Sequence, residues 1–124
     1  MKIFSREEIE TIILPGRRIW KAVGKDAFSE SGKITYGFAR FDADMGIAAP
    51  HHHAEEICYV LDAQKAWVRF GPNEEELGRK IPLEAGFSMH IPALEWHQFG
   101  FEESGFLEVI FIYGQVDNIR PEEK

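Results

Sequence analysis

A single cysteine, Cys58, is all the thiol this 124-residue chain carries, so no intramolecular disulfide framework can staple it. A reducing, cytoplasmic setting is the simplest expectation for such a chain. No apolar run approaches the roughly 20 residues needed to cross a bilayer. The opening stretch MKIFSREEIETIILPG is charged within its first turns, which argues against a signal peptide. Basic residues are few: 14 Lys and Arg stand against 21 Asp and Glu, for a net charge of −7. No basic cluster exceeds GRRIWK. An acidic surface repels phosphate backbones, so neither nucleic acid nor membrane is expected as a partner. Glycine-rich phosphate loops ending in Lys-Ser/Thr are absent, as are G-x-G-x-x-G, G-x-S-x-G and C-x-x-C. Those absences exclude the usual nucleotide sites, the serine-hydrolase elbow and the dithiol redox pair.

What is present points to a folded β protein. Hydrophobic residues make up 44% and charged residues 28%, a globular balance, and the length fits one domain spanning residues 1–124. Turn signals recur at short intervals: Pro15-Gly16, Gly24, Ser31-Gly32, Asp44 to Gly46, Gly71-Pro72-Asn73, Gly78, Ala85-Gly86 and Ser104-Gly105. Between them lie runs rich in β-branched and aromatic residues, such as RRIWKAV, KITYGFARFDA, EICYVLDA, KAWVRFG and FLEVIFIYG. Many short strands at this spacing predict an all-β sandwich or barrel. Only residues 5–13 read as helical, with Ser5 as the cap. GPNEEELGRK reads as a solvated loop, and the tail Arg120–Lys124 is expected to fray. FLEVIFIYG is interrupted only by Glu108, which predicts a strand covered on both faces, by a second sheet or a partner chain.

The most unusual stretch is PHHHAEEICYVL, residues 50–61. Alternate side chains of a strand share a face, so His51 and His53 would point one way and His52 the other. Two imidazoles on one face can bind a single ion. Imidazole suits Zn, Fe, Mn, Ni and Cu, and a carboxylate shifts the preference toward Mn or Fe. Glu55 and Glu56 are the near candidates for further ligands, His90 and His97 the distant ones. A solvated loop is the plain alternative for HHHAEE alone, and a packing histidine for His97 alone.

Two segments together resemble the motifs of the cupin superfamily. The first, about 46–63, has Gly46, then His51, His53 and Glu56 ahead of a strand; the second, about 86–101, has Gly86, five residues, Pro92 and then His97. The match departs in several places. The gaps from Gly46 to His51 and from His53 to Glu56 are each one residue short. Ala63 stands where the first motif closes on glycine. Leu94 stands where a glycine follows Pro92, and Phe101 where the second motif has asparagine. The lost glycines concern turns, where a different residue can take a different turn type.

The resemblance implies a jelly-roll β-barrel with a short N-terminal helical segment. Inside it, a divalent transition metal (Mn, Fe, Ni or Zn) would be held by His51, His53, Glu56 and His97. It implies a small-molecule substrate and dioxygenase, isomerase or lyase chemistry, with Glu55, Tyr59 and His90 as candidates for moving protons. Tyr36, Arg40 and Gln98 join Glu55 and His90 as groups available to orient the imidazoles. The alternative is a non-catalytic module that binds a sugar or another small ligand. A homodimer is also expected. Plain alternation would select Glu55 as the carboxylate, whereas the motif selects Glu56. A bulge or turn at Ala54-Glu55 would reconcile them, sending Glu56, Cys58 and Val60 inward and Ile57, Tyr59 and Leu61 outward. Cys58 reads foremost as a small buried hydrophobe, and Arg40 as a surface ion pair. Trp20, Trp67 and Trp96 read as packing or dimer contacts.

Overall fold

The computed structural model describes residues 1–116, so the Arg120–Lys124 tail lies outside the described residues. Eight strands form one sheet: β1 (Ile12–Leu14), β2 (Arg17–Gly24), β3 (Ser29–Glu30), β4 (Thr35–Asp42), β5 (Glu56–Gly71), β6 (Ile81–Leu83), β7 (Ser88–Ile91) and β8 (Trp96–Tyr113). The order is β1-β2-β4-β8-β5-β6, with β3 on β2 and β7 on β5. Every pairing is antiparallel except β2 with β3.

The helical expectation for residues 5–13 shrinks to one 3-10 turn, Arg6–Glu8, in which the Ser5 N–H donates to the Glu8 carboxylate. Ile12–Leu14 instead pairs with β2, Ile12 opposite Ile19. The reason is local. An Ile-Ile-Leu run favours extended backbone, and Pro15-Gly16 turns it straight back onto β2. Gly16 takes φ +80°, and a Cβ there would stand 2.6 Å from the Ala48 backbone.

Expected runs merge into longer strands. EICYVLDA and KAWVRFG are the halves of β5, and FLEVIFIYG extends back through residues 96–105 as β8. The two strands pair along almost their whole lengths, from Glu56 opposite Tyr113 to Gly71 opposite Trp96. They bend together instead of ending. Register shifts fall between Val60 and Asp62 and between Gln64 and Ala66, and Lys65 and Ser104 take positive φ. At the bend the Gln64 carbonyl would be 2.4 Å from any Cβ on residue 105, which only Gly105 avoids. Such bulges let one ladder turn a corner without leaving its hydrogen bonds unmade.

The inner face of the curled sheet is apolar. Ile19, Ala39, Phe41, Val60, Val68, Leu83, Phe99, Leu107 and Val109 form a continuous buried cluster. On β8 strict alternation sends Leu107, Val109 and Phe111 inward, while Phe106, Glu108, Ile110 and Ile112 face out. Part of that outer face is covered by the N-terminal segment: the Arg6 guanidinium lies 4.1 Å from the Trp20 ring centre and 5.0 Å from that of Phe38. The rest, around Ile57, Tyr59, Leu61 and Ile112, is exposed.

Candidate metal centre

The segment before β5 is pinned to the start of β8. His51 and His97 exchange both backbone hydrogen bonds, each 2.9 Å, so their rings meet edge to face with centres 4.1 Å apart. His52 points the other way and stacks on Trp96, 4.1 Å between centres. His53 turns inward again, its ring edge-on to Tyr113 at 5.0 Å. The His53 carbonyl accepts the Leu94 N–H at 2.7 Å, tying the two histidine-bearing segments together a second time. Leu94 does not adopt a different turn type, as expected for a glycine replacement. It takes φ +65°, the left-handed conformation glycine would have had, at some cost in strain.

After His53 the chain bends at Ala54 before β5 begins at Glu56. That bend shifts the facing by one residue. Glu56, Cys58 and Val60 are buried; Ile57, Tyr59 and Leu61 are exposed. Glu55 therefore lies outside, where it pairs with His90 at 2.7 Å, both side chains about two-thirds exposed. The three groups expected from sequence to move protons, Glu55, Tyr59 and His90, all lie away from the cavity. The reason is alternation: Tyr59 is odd in a strand whose even residues face in, and His90 sits opposite Ile57 on the outer face.

His51, His53, Glu56 and His97 are each less than 10% exposed. His51, His53 and Glu56 line a cavity of about 420 Å³ that continues over Cys58, Phe111, Phe99 and Val109. His97 Nδ1 lies 2.9 Å from the Glu95 carbonyl. A carbonyl can only accept, so Nδ1 carries the hydrogen and Nε2 is the nitrogen that faces Glu56 Oε1, 3.9 Å away. This is how a backbone acceptor fixes the tautomer of a metal-binding histidine. The Cys58 thiol donates to the other carboxylate oxygen, Oε2, at 2.8 Å. Burial, and then the Glu56 charge, push the Cys58 thiol well up, in keeping with its role as a donor to Glu56.

Among the described residues, no three His, Cys, Asp or Glu side chains are drawn together tightly enough to make a finished metal site. The spacing shows why. Two ligand atoms on one tetrahedral ion stand about 3.3–3.6 Å apart, given bonds of about 2.0–2.2 Å; His97 Nε2 and Glu56 Oε1 stand 3.9 Å apart. The donor chemistry nevertheless fits an ion. Three imidazoles and a carboxylate, all buried, come from two segments locked by backbone pairing, with His51 and Glu56 each beside His97. The tautomer of His97 is right, and Glu56 is oriented by Cys58.

Of the other orienting groups expected, Gln98 is buried behind the site. Its Nε2 donates to the Ala48 carbonyl and its Oε1 accepts from Arg69, each at 2.8 Å. Tyr36 and Arg40 face outward instead; Arg40 is the surface ion pair, bridging Asp42 and Glu108. The tryptophans are in packing contacts: Trp20 under Arg6, Trp96 under His52, and Trp67 with the Lys80 ammonium 4.5 Å from its ring centre. Sequence reasoning missed three cavity residues, Arg17, Lys21 and Tyr113. Strand parity was the available signal: Tyr113 falls in step with Val109 and Phe111, and Arg17 and Lys21 flank Ile19.

Neither a protein-family model nor a curated protein matches the chain. Solved structures do match. The polyketide cyclase RemF from Streptomyces resistomycificus superposes with a TM-score of 0.77 at 20% identity, covering 98% of this chain and 82% of that one. A protein from Planctomyces limnophilus gives 0.74 at 21% identity, covering 97% and 94%. Fe(II)-HppE gives 0.68 at 17% identity, covering 91% of this chain and 60% of that one. These likenesses establish the fold: the chain is a cupin-type jelly-roll. Among the described residues no helix is long and apolar enough to cross a membrane.

Proposed function

We propose that this chain is a single-domain, metal-dependent cupin enzyme acting on a small oxygen-bearing molecule. His51, His53, Glu56 and His97 would hold a divalent transition metal. The observation that carries the reading is the burial of these four side chains, three of which, His51, His53 and Glu56, line a cavity large enough for a small ligand. Ligand pockets typically run from about 300 to 1,000 Å³. A likeness to Fe(II)-HppE and to a polyketide cyclase supports a metal and a small-molecule substrate. An ion here would supply Lewis acidity toward a substrate oxygen. The chain's own groups do the rest. Cys58 fixes the Glu56 carboxylate, the Glu95 carbonyl fixes the His97 tautomer, and the walls of Phe99, Phe111 and Val109 keep bulk water away. Dioxygenase, isomerase and lyase chemistry all remain within what such a site can do, since the fold does not choose among them.

Elemental analysis of untagged protein, before and after remetallation, tests this reading. About one equivalent of Mn, Fe, Co, Ni, Cu or Zn is expected. Less than about a tenth of an equivalent of every one of these would overturn it.

A non-catalytic binding module is the second reading. It is favoured by one observation: the three expected proton-moving groups lie outside the cavity. The sugar-binding form suits the cavity poorly, because its walls are mostly apolar. Ligand-dependent stabilisation without product would identify a binding module. A homodimer also belongs to this proposal. Ile57 and Ile112 are cross-strand neighbours on the outer face, and with Tyr59 and Leu61 they leave an exposed apolar patch suited to a symmetric interface. A monomer mass by light scattering at micromolar concentration would count against it.

A further inference from the structure

A buried amide outside the donor set ties the segment that carries His51 to the sheet. Gln98 is 6% exposed and follows His97 on β8. Its Nε2 donates to the Ala48 carbonyl, and its Oε1 accepts from Arg69 Nε, each at 2.8 Å. A guanidinium can only donate. Arg69 therefore fixes which way the amide points: the oxygen faces Arg69, and the NH2 is left for the Ala48 carbonyl. Arg69 is itself well placed for this. It is the direct cross-strand neighbour of Gln98, and its guanidinium lies 5.7 Å from the Trp67 ring centre, inside cation–π range.

Ala48 stands three residues before His51, where the backbone ladder is short. His97 pairs with Phe70 of β5 on one edge, and on the other it meets His51 in an isolated bridge. A single bridge fixes a separation but lets the chain pivot about it. Anchors on either side of the bridge remove the pivot. The His53 carbonyl, accepting the Leu94 N–H at 2.7 Å, is the anchor downstream, and Gln98 is the anchor upstream. Ala48 also touches the β1–β2 turn, where a Cβ at residue 16 would stand 2.6 Å from its Cα. We infer that Gln98 is a positioning residue for His51: through Ala48 it sets the course of the chain into the histidine run, and Arg69 sets the amide. The inference rests on His51 being a metal ligand, as proposed above, but the tie itself can be read without metal.

The test reads amide hydrogen exchange by NMR on chelator-stripped protein. The His51 N–H, bonded to the His97 carbonyl, is compared with the Leu94 N–H, bonded to the His53 carbonyl. Taking their ratio cancels a change in global stability, which acts on both. Gln98→Glu keeps the shape and the partner of Arg69 but sets an oxygen against the Ala48 carbonyl. It is expected to speed His51 about fivefold or more relative to Leu94, the worth of one hydrogen bond, and Gln98→Met by a similar factor. Arg69→Met, which lets the amide turn over, is expected to give a smaller shift in the same direction. Leu107→Ala, a core variant, is expected to leave the ratio unchanged. A parental ratio in Gln98→Glu or Gln98→Met overturns the inference. Should neither fold, a parental ratio in Arg69→Met overturns it. In titrations with Mn and Zn, the Gln98 variants are expected to bind about 10–100-fold more weakly than the parent. A parent that binds either ion, with variants within about twofold of it, also overturns the inference. A parent that binds neither, with the exchange ratio still shifted in the variants, sinks the metal reading and leaves the tie between Gln98 and the His51 segment standing.

Discussion

The sheet carries one polar cluster on each face, and the two are built on different principles. On the outer face Arg6, Arg40 and Arg18 alternate with Glu108, Asp42 and Asp44 in one chain of ion pairs. Donor meets acceptor at each link, and solvent reaches most of the members. On the inner side, three imidazoles and a carboxylate are buried, three of them lining a mostly apolar pocket. Among the described residues, Arg17 and Lys21 are the cationic side chains that line the cavity. The outer cluster answers its own charges and needs nothing added. The inner one concentrates buried groups that bind by lone pairs. A cluster of the first kind staples a fold together, whereas the second gathers buried lone-pair donors beside a cavity.

The sharpest break of this comparison lies in the inner cluster. His51→Ala, His53→Ala, His97→Ala and Glu56→Gln are each expected to weaken metal binding by more than the roughly 10–100-fold that outlying partners cost. Glu55→Gln, His90→Ala and His52→Ala, all on the other side of the chain, are expected to bind within about twofold of the parent, since none touches the set. Metal titration of folded variants decides it. Loss of the ion in Glu55→Gln with retention in Glu56→Gln would reverse the assignment of faces.

Next in size is packing. Leu107 is fully buried, while Leu61, on the outer face of the neighbouring strand, is 37% exposed. Leu107→Ala is expected to cost about 2–5 kcal/mol by denaturant unfolding, the range for a buried Leu whose cavity cannot collapse. Leu61→Ala is expected to cost within about 0.5 kcal/mol as a monomer. A larger loss that depends on protein concentration would place Leu61 in a dimer interface instead.

The inner cluster was legible because its signal is spacing. Gly46, His51, His53, Glu56, Gly86, Pro92 and His97 are read off without knowing any distance, and the short His53–Glu56 gap announced the bend that the Ala54 region makes. The all-β class was legible in the same way. The parts that were not legible depend on pairing. Ser104-Gly105 reads as a turn between strands, and EICYVLDA and KAWVRFG read as separate strands; both junctions are bends within strands, because β5 and β8 supply each other's hydrogen bonds through the corner. The N-terminal helical segment is one turn long rather than spanning 5–13 because tertiary pairing of Ile12–Leu14 with β2 overrode the rest of an acidic, capped opening. Glu55, Tyr59 and His90 were picked for nearness to the motifs along the chain, and nearness along a strand says nothing about face. The inward Arg17 and Lys21 were readable by parity, yet basic residues near a chain end invite a surface reading.

The smallest effect belongs to the outer cluster and carries a sign. Burial alone would raise the Glu108 carboxyl, but hydrogen bonds and charge from Arg6 and Arg40 outweigh it and hold the group below its ordinary range. Asp42 is held down in the same way by Arg40 and Arg18. A carboxyl depressed in the folded state adds stability above its unfolded pKa, and that stability drains away as pH falls through the folded value. The contribution is therefore whole at pH 7 and shrinks below about pH 4.5, near the ordinary carboxylate range. Glu108, 18% exposed at its side chain, is neither a rim charge nor a fully desolvated one, so Glu108→Gln is expected to cost about 1 kcal/mol at pH 7. The gap between parent and variant should narrow as the pH is lowered toward about 3, where the parent's carboxylate is being protonated as well. Urea unfolding of both proteins at each pH measures it. Metal affinity at pH 7 should be unchanged in the variant, since Glu108 faces away from the histidines. A gap that stays constant with pH would mean that Glu108 acts through its packing beside Arg6 and Arg40, and a variant that loses metal would mean that the two faces are coupled through the sheet.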